Sequence, residues 1–473
     1  MDAKHYDLVV IGSGPAGEKG AAQAAYFGKR VAIIEKETAL GGAAANTGTL
    51  PSKTLRETAL YLSGFKQRSL YGMEISLKDR VTARDFLYRE RLVVQSEHQR
   101  IAENIKRHEI DLYDGNASFV DPHTVAVKPK HSPAIHLHGD VILVATGSYP
   151  HHPDNLPFHD RRVYDSDTIL TINDMPPSML VAGGGVIGCE YACIFAALGI
   201  EVTLVEGRDR LLTFLDPEIS EALAAAMIKL GVHVRLSDMI ETVDAADEGF
   251  DVHLKSGETV NVHNILAATG RTGATDQLNL PNVGVDIGPR GNLNVNGAYQ
   301  TAVPHIYAVG DVIGFPALAS TSMEQARIAM VHAFDLQYKT TLAPILPYGI
   351  YTIPECSMAG ETEIALKEKG VDYVVGRARY DANARGQIIG DEDGFMKLVF
   401  GADDMKLLGI QIIGENASEL IHIGLLGLLS GATADLFIQT CFNYPTLGEM
   451  YKYATYDALG AKAKRSDGSA NQT

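Results

Sequence analysis

Short apolar runs closed by glycine recur along this chain, and each is followed by a stretch with helical character. Tyr6-Asp-Leu-Val-Val-Ile-Gly12 predicts a strand, the alanine-rich stretch from Gly20 to Phe27 a helix, and Arg30-Val-Ala-Ile-Ile-Glu35 the next strand. The order returns further on. Met179-Leu-Val-Ala-Gly183 predicts a strand, Cys189 to Leu198 a helix, and Glu201-Val-Thr-Leu-Val-Glu206 a second strand. Between the two units, residues 54–108 carry helical spacing and many charges, and Leu87 to Ile101 reads as a solvated helix. Residues 109–145 alternate like a β-meander and run into Val141-Ile-Leu-Val-Ala-Thr146-Gly147. A second strand with the same ending is Ile265-Leu-Ala-Ala-Thr-Gly270. Pro304 to Asp311 predicts a strand ending in Gly-Asp, with a helix from Ala319 to Phe334 behind it. From Pro347 on, short β-runs (Tyr373 to Gly376, Phe395 to Phe400, Leu408 to Ile413) mix with helical pieces (Ala417 to Leu429, Thr433 to Phe437), an α+β pattern. Residues 461–473 are polar, contain Gly and Ser, and are expected to fray.

The glycines give the two repeated units a chemistry. In Gly12-Ser-Gly14-Pro-Ala-Gly17 the first glycine makes the tight turn, the second lets backbone approach a pyrophosphate, and the third lets helix and strand pack closely. Glu35 lies 18 residues past the third glycine, where an acid accepts from a ribose hydroxyl. Gly183-Gly-Gly185-Val-Ile-Gly188 repeats the motif, with Glu206 again 18 residues on. A bare glycine motif is weak. Two complete units, each followed by a Thr-Gly strand ending, predict two dinucleotides and a relay of electrons between them.

Composition narrows the field. The 473 residues imply two to four domains. The 46% apolar and 21% charged residues fit a globular protein, and the 46 glycines suit tight strand-to-helix turns. A formal net charge of −17 argues against nucleic acid as the partner, because duplex binding rests on basic contacts to phosphate. Four cysteines make no disulfide framework. Cys189, Cys193, Cys356 and Cys441 are all expected to be buried and inert. No metal-ligand spacing stands out, no leader precedes the first strand, and no apolar run reaches the ~18 residues of a membrane span. The expected location is the cytoplasm.

The stretch Gly41-Gly42-Ala43-Ala44-Ala45-Asn46-Thr47-Gly48-Thr49-Leu50-Pro51-Ser52-Lys53 resembles the redox loop of the flavoprotein disulfide reductases. That family reads GG-x-C-x-x-x-x-C-x-PSK, and its two cysteines fall on Ala44 and Thr49. Neither side chain can supply the thiolate that disulfide exchange needs. The resemblance covers about residues 5 to 455. It is closest to the soluble pyridine nucleotide transhydrogenase branch, through Gly48 to Lys53, Tyr164-Asp-Ser-Asp, Gly349-Ile-Tyr-Thr-Ile-Pro-Glu355 and Phe442-Asn-Tyr-Pro-Thr446. The branch usually keeps the first cysteine, so Ala44 departs even from it.

The resemblance implies an α/β fold with two Rossmann-like domains and a C-terminal α+β dimerisation domain. The FAD domain would comprise residues 1–148 and 271–346, the NAD(P) domain 149–270, the dimerisation domain 347–460, and a flexible tail 461–473. It implies that Gly12, Gly14, Gly17, Glu35, Gly42, Lys53, Thr146, Gly147 and Asp311 hold FAD. Gly183, Gly185, Gly188, Glu206 and Gly270 would hold NAD(P), in a homodimer or higher homo-oligomer. Lys53 and Glu190 match a pair that sits beside the flavin. A lysine there stabilises negative charge on the reduced ring, and the carboxylate orients it. The family's proton-managing His before Pro-Thr is here Tyr444, with Glu449 five residues later, and a phenol of pKa ~10 is a poor proton shuttle. Dithiol and base are missing together.

The expected activity is hydride transfer between NADPH or NADH and NAD⁺ or NADP⁺ through the flavin. One alternative is an NAD(P)H dehydrogenase reducing a quinone or similar acceptor. The other is an FAD-binding redox partner or sensor without turnover. Nucleotide preference stays open: Glu206 favours a ribose hydroxyl, while Arg208 and Arg210 either accommodate a 2′-phosphate or are merely exposed loop arginines.

Overall fold

In the computed structural model, residues 3–64 and 81–470 are described, with side chains as far as Arg465. The first unit opens with β1 (Lys4–Ile11), α1 (Pro15–Tyr26) and β2 (Val31–Glu35). The short α2 (Gly42–Asn46), α3 (Thr49–Ser63) and the long α4 (Ala83–Arg107) follow. Then come β3 (Asp111–Asp114), β4 (Asn116–Asp121), β5 (Thr124–Lys128) and β6 (Ile135–Val144). They form a sheet in the order β3-β2-β1-β6-β5-β4. β1, β2, β3 and β6 are parallel, and β4 and β5 turn back antiparallel. The expected meander is therefore only β4 to β6, because β3 joins the far edge beside β2. Leu8, Val9 and Val10 on β1 have no exposure, and each such buried side chain is worth roughly 1.5–3 kcal/mol.

A short β7 (Ser148–Pro150) leads out to the second unit. There β8 (Val163–Asp165), β9 (Ser178–Ala182), α5 (Val186–Ala197), β10 (Glu201–Glu206), α6 (Pro217–Leu230) and β11 (Val232–Leu236) follow. An antiparallel ribbon of β12 (Ile240–Ala246), β13 (Gly249–Leu254) and β14 (Thr259–Val262) precedes β15 (Asn264–Ala267). The parallel order is β11-β10-β9-β15-β8. The chain re-enters the first unit at β16 (Arg271–Gly273), which pairs antiparallel with β7. β17 (Ile306–Ala308) then adds to β6, and α7 (Ala319–Ala333) packs on α1.

The third unit contains β18 (Tyr348–Ile350), β19 (Glu355–Gly360), α8 (Glu363–Glu368), β20 (Tyr373–Arg379) and α9 (Ala384–Ile389). It continues with β21 (Phe395–Gly401), β22 (Leu407–Gly414), α10 (Ala417–Ser430), α11 (Ala434–Gln439) and α12 (Met450–Ala470). Its antiparallel order is β18-β19-β22-β21-β20, backed by α10 and α12. The fold is thus α/β, with two parallel dinucleotide-type units and an α+β unit.

Two further expectations need correction. α4 is more than a solvated helix: Phe86, Leu87, Ile101 and Ile105 are buried, and Phe86 meets Phe195 of α5. Its start is fixed by a capping box in which Thr82 and Asp85 bond each other's backbone N–H. The part of the 54–108 helical reading that falls on residues 65–80 lies outside the described residues. Helix α12 runs on as far as Ala470, with Lys462 Nζ bonded to Asp403 O and Arg465 to Asp372. Cys441 is exposed, although the other three cysteines are buried. Among the described residues, no helix is long and apolar enough to cross a membrane.

Candidate active site

The two glycine turns have the same geometry. Gly12 (φ +102°) lies so close to the β6 end that a Cβ would sit 2.5 Å from Ala145 O, and one on Gly17 would sit 1.9 Å from Gly12 O. In the second unit Gly183 (φ +108°) would meet Ala268 O at 2.6 Å, and Gly188 would meet Gly183 O at 1.8 Å. Those four glycines serve internal packing. The middle glycines differ: Gly185 has nothing within 4 Å of its missing Cβ, and Gly14 has only Gly42 Cα at 3.8 Å. Each leaves bare backbone at a helix N-terminus, which is what an anionic group needs to approach.

The two strand-end acids are already employed. Glu35 accepts from Ser13 N (2.9 Å), Ser13 Oγ (2.6 Å) and Glu37 N (3.0 Å). Glu206 accepts from Gly184 N (2.7 Å), Arg208 N (2.9 Å) and Arg208 Nε (3.1 Å). Each carboxylate therefore ties its strand to its own glycine loop. With about four lone-pair sites, each keeps room for one more donor. Around Glu206, Arg208 also donates to Thr213 Oγ1 (3.1 Å), and Arg210 buries an Nε with no partner.

The Gly41–Lys53 loop folds against the first turn. Gly41 and Gly42 both take positive φ (+96° and +56°), and a Cβ on Gly42 would stand 2.9 Å from Gly14 Cα. Asn46 braces the turn by donating to Leu40 O and Gly42 O, and its own Oδ1 meets His98 Nε2 of α4 at 2.6 Å. Ala44 lies in α2, and Thr49 opens α3 in an exposed position. The buried thiols do not substitute for the missing pair. Burial pushes Cys189 well up, and Cys193 and Cys356 to about 12, so none supplies a thiolate at neutral pH.

Lys53 and Glu190 meet as the resemblance implies. Lys53 Nζ on α3 lies 2.7 Å from both oxygens of Glu190 on α5. Glu190 also accepts from Tyr351 N at 3.0 Å and Ser52 Oγ at 3.4 Å, and is 3% exposed. The lysine keeps a quarter of its side chain exposed and lies 4.9 Å from the Tyr351 ring centroid. The pair thus joins first, second and third units. Beneath it lies a second buried cation that the sequence did not reveal. Arg56 donates through Nε to Thr352 O (2.9 Å), its Nη1 is 3.3 Å from Glu355, and its Nη2 has no partner. Its Nη1 also meets the neighbouring Glu57 (2.5 Å), and the β18–β19 bend, distant in sequence, supplies the rest of the site.

At the β6 end, Thr146 Oγ1 is buried without a partner, and Gly147 (φ +70°) has nothing within 4 Å of a Cβ position. Asp311 accepts from Ser148 Oγ (3.0 Å), and Arg271 holds Ser148 through its Oγ (2.8 Å) and O (2.7 Å). Arg271 is another member the sequence did not single out. Gly270 (φ +113°) forms the matching bend in the second unit. An orphaned hydroxyl at the first turn, and open backbone at Gly14 and Gly185, fit a dinucleotide at each turn. Tyr444 and Glu449 are not brought to this site: neither bonds Lys53 or Glu190 among the described residues. Tyr444 stands 76% exposed in the loop before α12.

Residues 6–332 match the family model "Pyridine nucleotide-disulphide oxidoreductase", and residues 346–455 match its dimerisation domain. A soluble pyridine nucleotide transhydrogenase of Mycobacterium bovis (strain BCG / Pasteur 1173P2) is 46% identical, over 96% of this chain and 97% of its own. One from Enterobacter sp. (strain 638) is 42% identical, over 96% and 98%. The HOCl-induced flavoprotein disulfide reductase RclA of Escherichia coli superposes with a TM-score of 0.87 at 26% identity, covering 95% of this chain and 99% of RclA.

Proposed function

Because the chain belongs to the pyridine nucleotide-disulphide oxidoreductase family, we propose that it is a soluble transhydrogenase. It is an oxidoreductase that moves hydride between NADPH or NADH and NAD⁺ or NADP⁺, with FAD as its cofactor. When bound, FAD supplies the redox chemistry, taking hydride from one nicotinamide nucleotide and yielding it to another. Gly14, Glu35, Gly42, Lys53, Thr146, Gly147 and Asp311 hold it, on a turn that Gly12 and Gly17 let pack closely. Gly185, Glu206, Arg208 and Gly270 hold the nicotinamide nucleotides, one at a time, on a turn that Gly183 and Gly188 let pack closely.

The chain's own contribution is position and charge. Lys53 sets a fixed positive charge where negative charge develops, and Glu190 with Tyr351 N–H and Ser52 keeps it from turning away. The remaining lone pair of Glu206 suits a ribose hydroxyl. Arg208 and Arg210 offer guanidinium N–H groups to a 2′-phosphate, which supports acceptance of both nucleotides. Ala44 and Thr49 leave no sulfur step. Tyr444 and Glu449 act across the dimer, as the matched dimerisation domain supports. Three buried free thiols support a reducing, cytoplasmic setting. The domains run 1–148 with 271–346, 149–270, and 347–460. No nucleic-acid partner is proposed, given the acidic surface.

The observation that carries this reading is the clamped Lys53–Glu190 pair beside a loop with no sulfur. Anaerobic stopped-flow reduction tests it. NADH and NADPH should each bleach the bound flavin, and thio-NAD⁺ should restore the colour. Reoxidation by a quinone but not by thio-NAD⁺ would favour the dehydrogenase instead. Bleaching by neither nucleotide would leave only a binding role.

A further inference from the structure

Imidazoles gather at the end of the first sheet remote from the glycine turns. His5, near the start of β1, stands in register with His138 on β6. Their rings stack with centroids 5.0 Å apart at 23°. Asp140, two residues along β6 from His138, shares its face. His5 Nε2 lies 3.0 Å from Asp140 Oδ1, and ligand atoms of all three residues fall within 4.8 Å of one another.

A wall of further imidazoles backs the group. His123 stacks on His138 with centroids 5.4 Å apart, and His305 stacks on His123 at 3.7 Å and 8°. These two have assigned work: His123 Nδ1 bonds Gly139 O at 2.9 Å, and His305 Nε2 bonds Pro122 O at 2.8 Å. They fix the shape behind His138 and leave His5, His138 and Asp140 facing outward. A His–Asp surface pair needs no third member. A second imidazole held opposite the first by the central strands of a parallel sheet is the arrangement of a ligand set.

We propose that His5, His138 and Asp140 form a binding site for a borderline divalent cation of the Zn²⁺, Co²⁺ or Ni²⁺ class. Two imidazoles and one carboxylate are the donors such ions prefer over Mg²⁺ or Ca²⁺. Metal–nitrogen bonds of about 2.0–2.1 Å place ligand atoms roughly 3–3.5 Å apart, so turning exposed side chains closes the set. The His5 and Asp140 side chains are 59% and 53% exposed, which leaves open positions for water. Their backbone is held by strands whose Leu8, Val9 and Ile142 are fully buried. The net charge of −17 draws cations to the surface. Six residues separate His5 from Gly12, and the seven steps at ~3.3 Å each span about 23 Å, so the site stands apart from the dinucleotide turns.

Equilibrium dialysis of the untagged, flavin-loaded protein against Co²⁺ or Ni²⁺ alone tests this. Wild type should retain one ion per chain, with a Co²⁺ visible absorption band. His5→Ala, His138→Gln and Asp140→Asn should each weaken binding about tenfold or more while keeping the Tm and the rate of flavin reduction. His233→Ala, at the separate surface pair His233–Glu201, should keep the ion. Absence of a stoichiometric ion on wild type overturns the proposal. So does unchanged affinity in His138→Gln, or equal loss in His233→Ala.

Discussion

At the residue scale, the site depends on one charge and its anchor. Glu190→Gln keeps the shape but removes the anion that holds Lys53 from 2.7 Å. Flavin reduction by NADPH in stopped flow should slow about 10²-fold, the magnitude seen when a preorganised electrostatic group is lost. Lys53→Met should slow it at least as much. The loop carries a second prediction. Ala44→Cys with Thr49→Cys restores the sulfurs but leaves Tyr444 in the base position, so turnover of a small disulfide should remain at background. Adding Tyr444→His should raise it, and substantial turnover in the double variant alone would show that the base is dispensable. Lys53 and the empty sulfur positions were legible because they lie within one contiguous motif. Arg56 was not, because its partners Thr352 and Glu355 sit about 300 positions away, and only folding gives a buried arginine its company. The same holds for the cation site, whose ligands come from both ends of the first sheet's sequence.

At the scale of elements, the apolar runs foretold the central strands and the glycines foretold the turns, since each motif's constraints are local. The order within each motif also says which glycine serves packing and which serves a ligand, the third packing and the second facing the dinucleotide. Gly188 is the packing kind, and Gly185 (φ −79°) has free space around it. Gly188→Ala should destabilise the second unit and lower the Tm, because 1.8 Å to a backbone oxygen forces the helix away from its strand. Gly185→Ala should leave stability nearly unchanged, within about 0.5 kcal/mol, yet weaken NADH and NADPH binding in a fluorescence titration. Helix α4 shows the reverse failure. Its charges drew attention away from Phe86, Leu87, Ile101 and Ile105, which bury the face that docks it.

At the scale of the whole molecule, the second unit is fastened to the third by a buried charge cluster with no sequence signature. Lys397 on β21 is 1% exposed, and its Nζ lies 2.9 Å from Asp216 and 2.9 Å from Glu218, with Glu363 also in contact. Arg377 grips Glu218 from β20 at 2.8 Å, and Tyr373 donates to Glu363. Asp216 also caps α6, so the cluster sets how that helix, and with it the nicotinamide unit, meets the third unit. Lys397→Met would leave three carboxylates facing one another without the cation at their centre. Removing one partner of a buried pair costs about 3–5 kcal/mol, so urea unfolding should show a loss of that order. Acid acts on the other side of the cluster. The Arg377 bond, opposed by burial and helped by Lys397, holds Glu218 at about 2, below its ordinary 4.5. Lys397 and the Tyr373 hydroxyl outweigh burial to lower Glu363 as well. A depressed carboxylate stabilises the folded state fully above its unfolded pKa and loses that contribution as pH falls towards its folded one. Thermal stability should therefore decline between pH ~4.5 and ~2, and Glu218→Gln should flatten that decline while starting from a lower Tm at neutral pH. An unchanged acid profile in Glu218→Gln would mean that the two units are held together elsewhere.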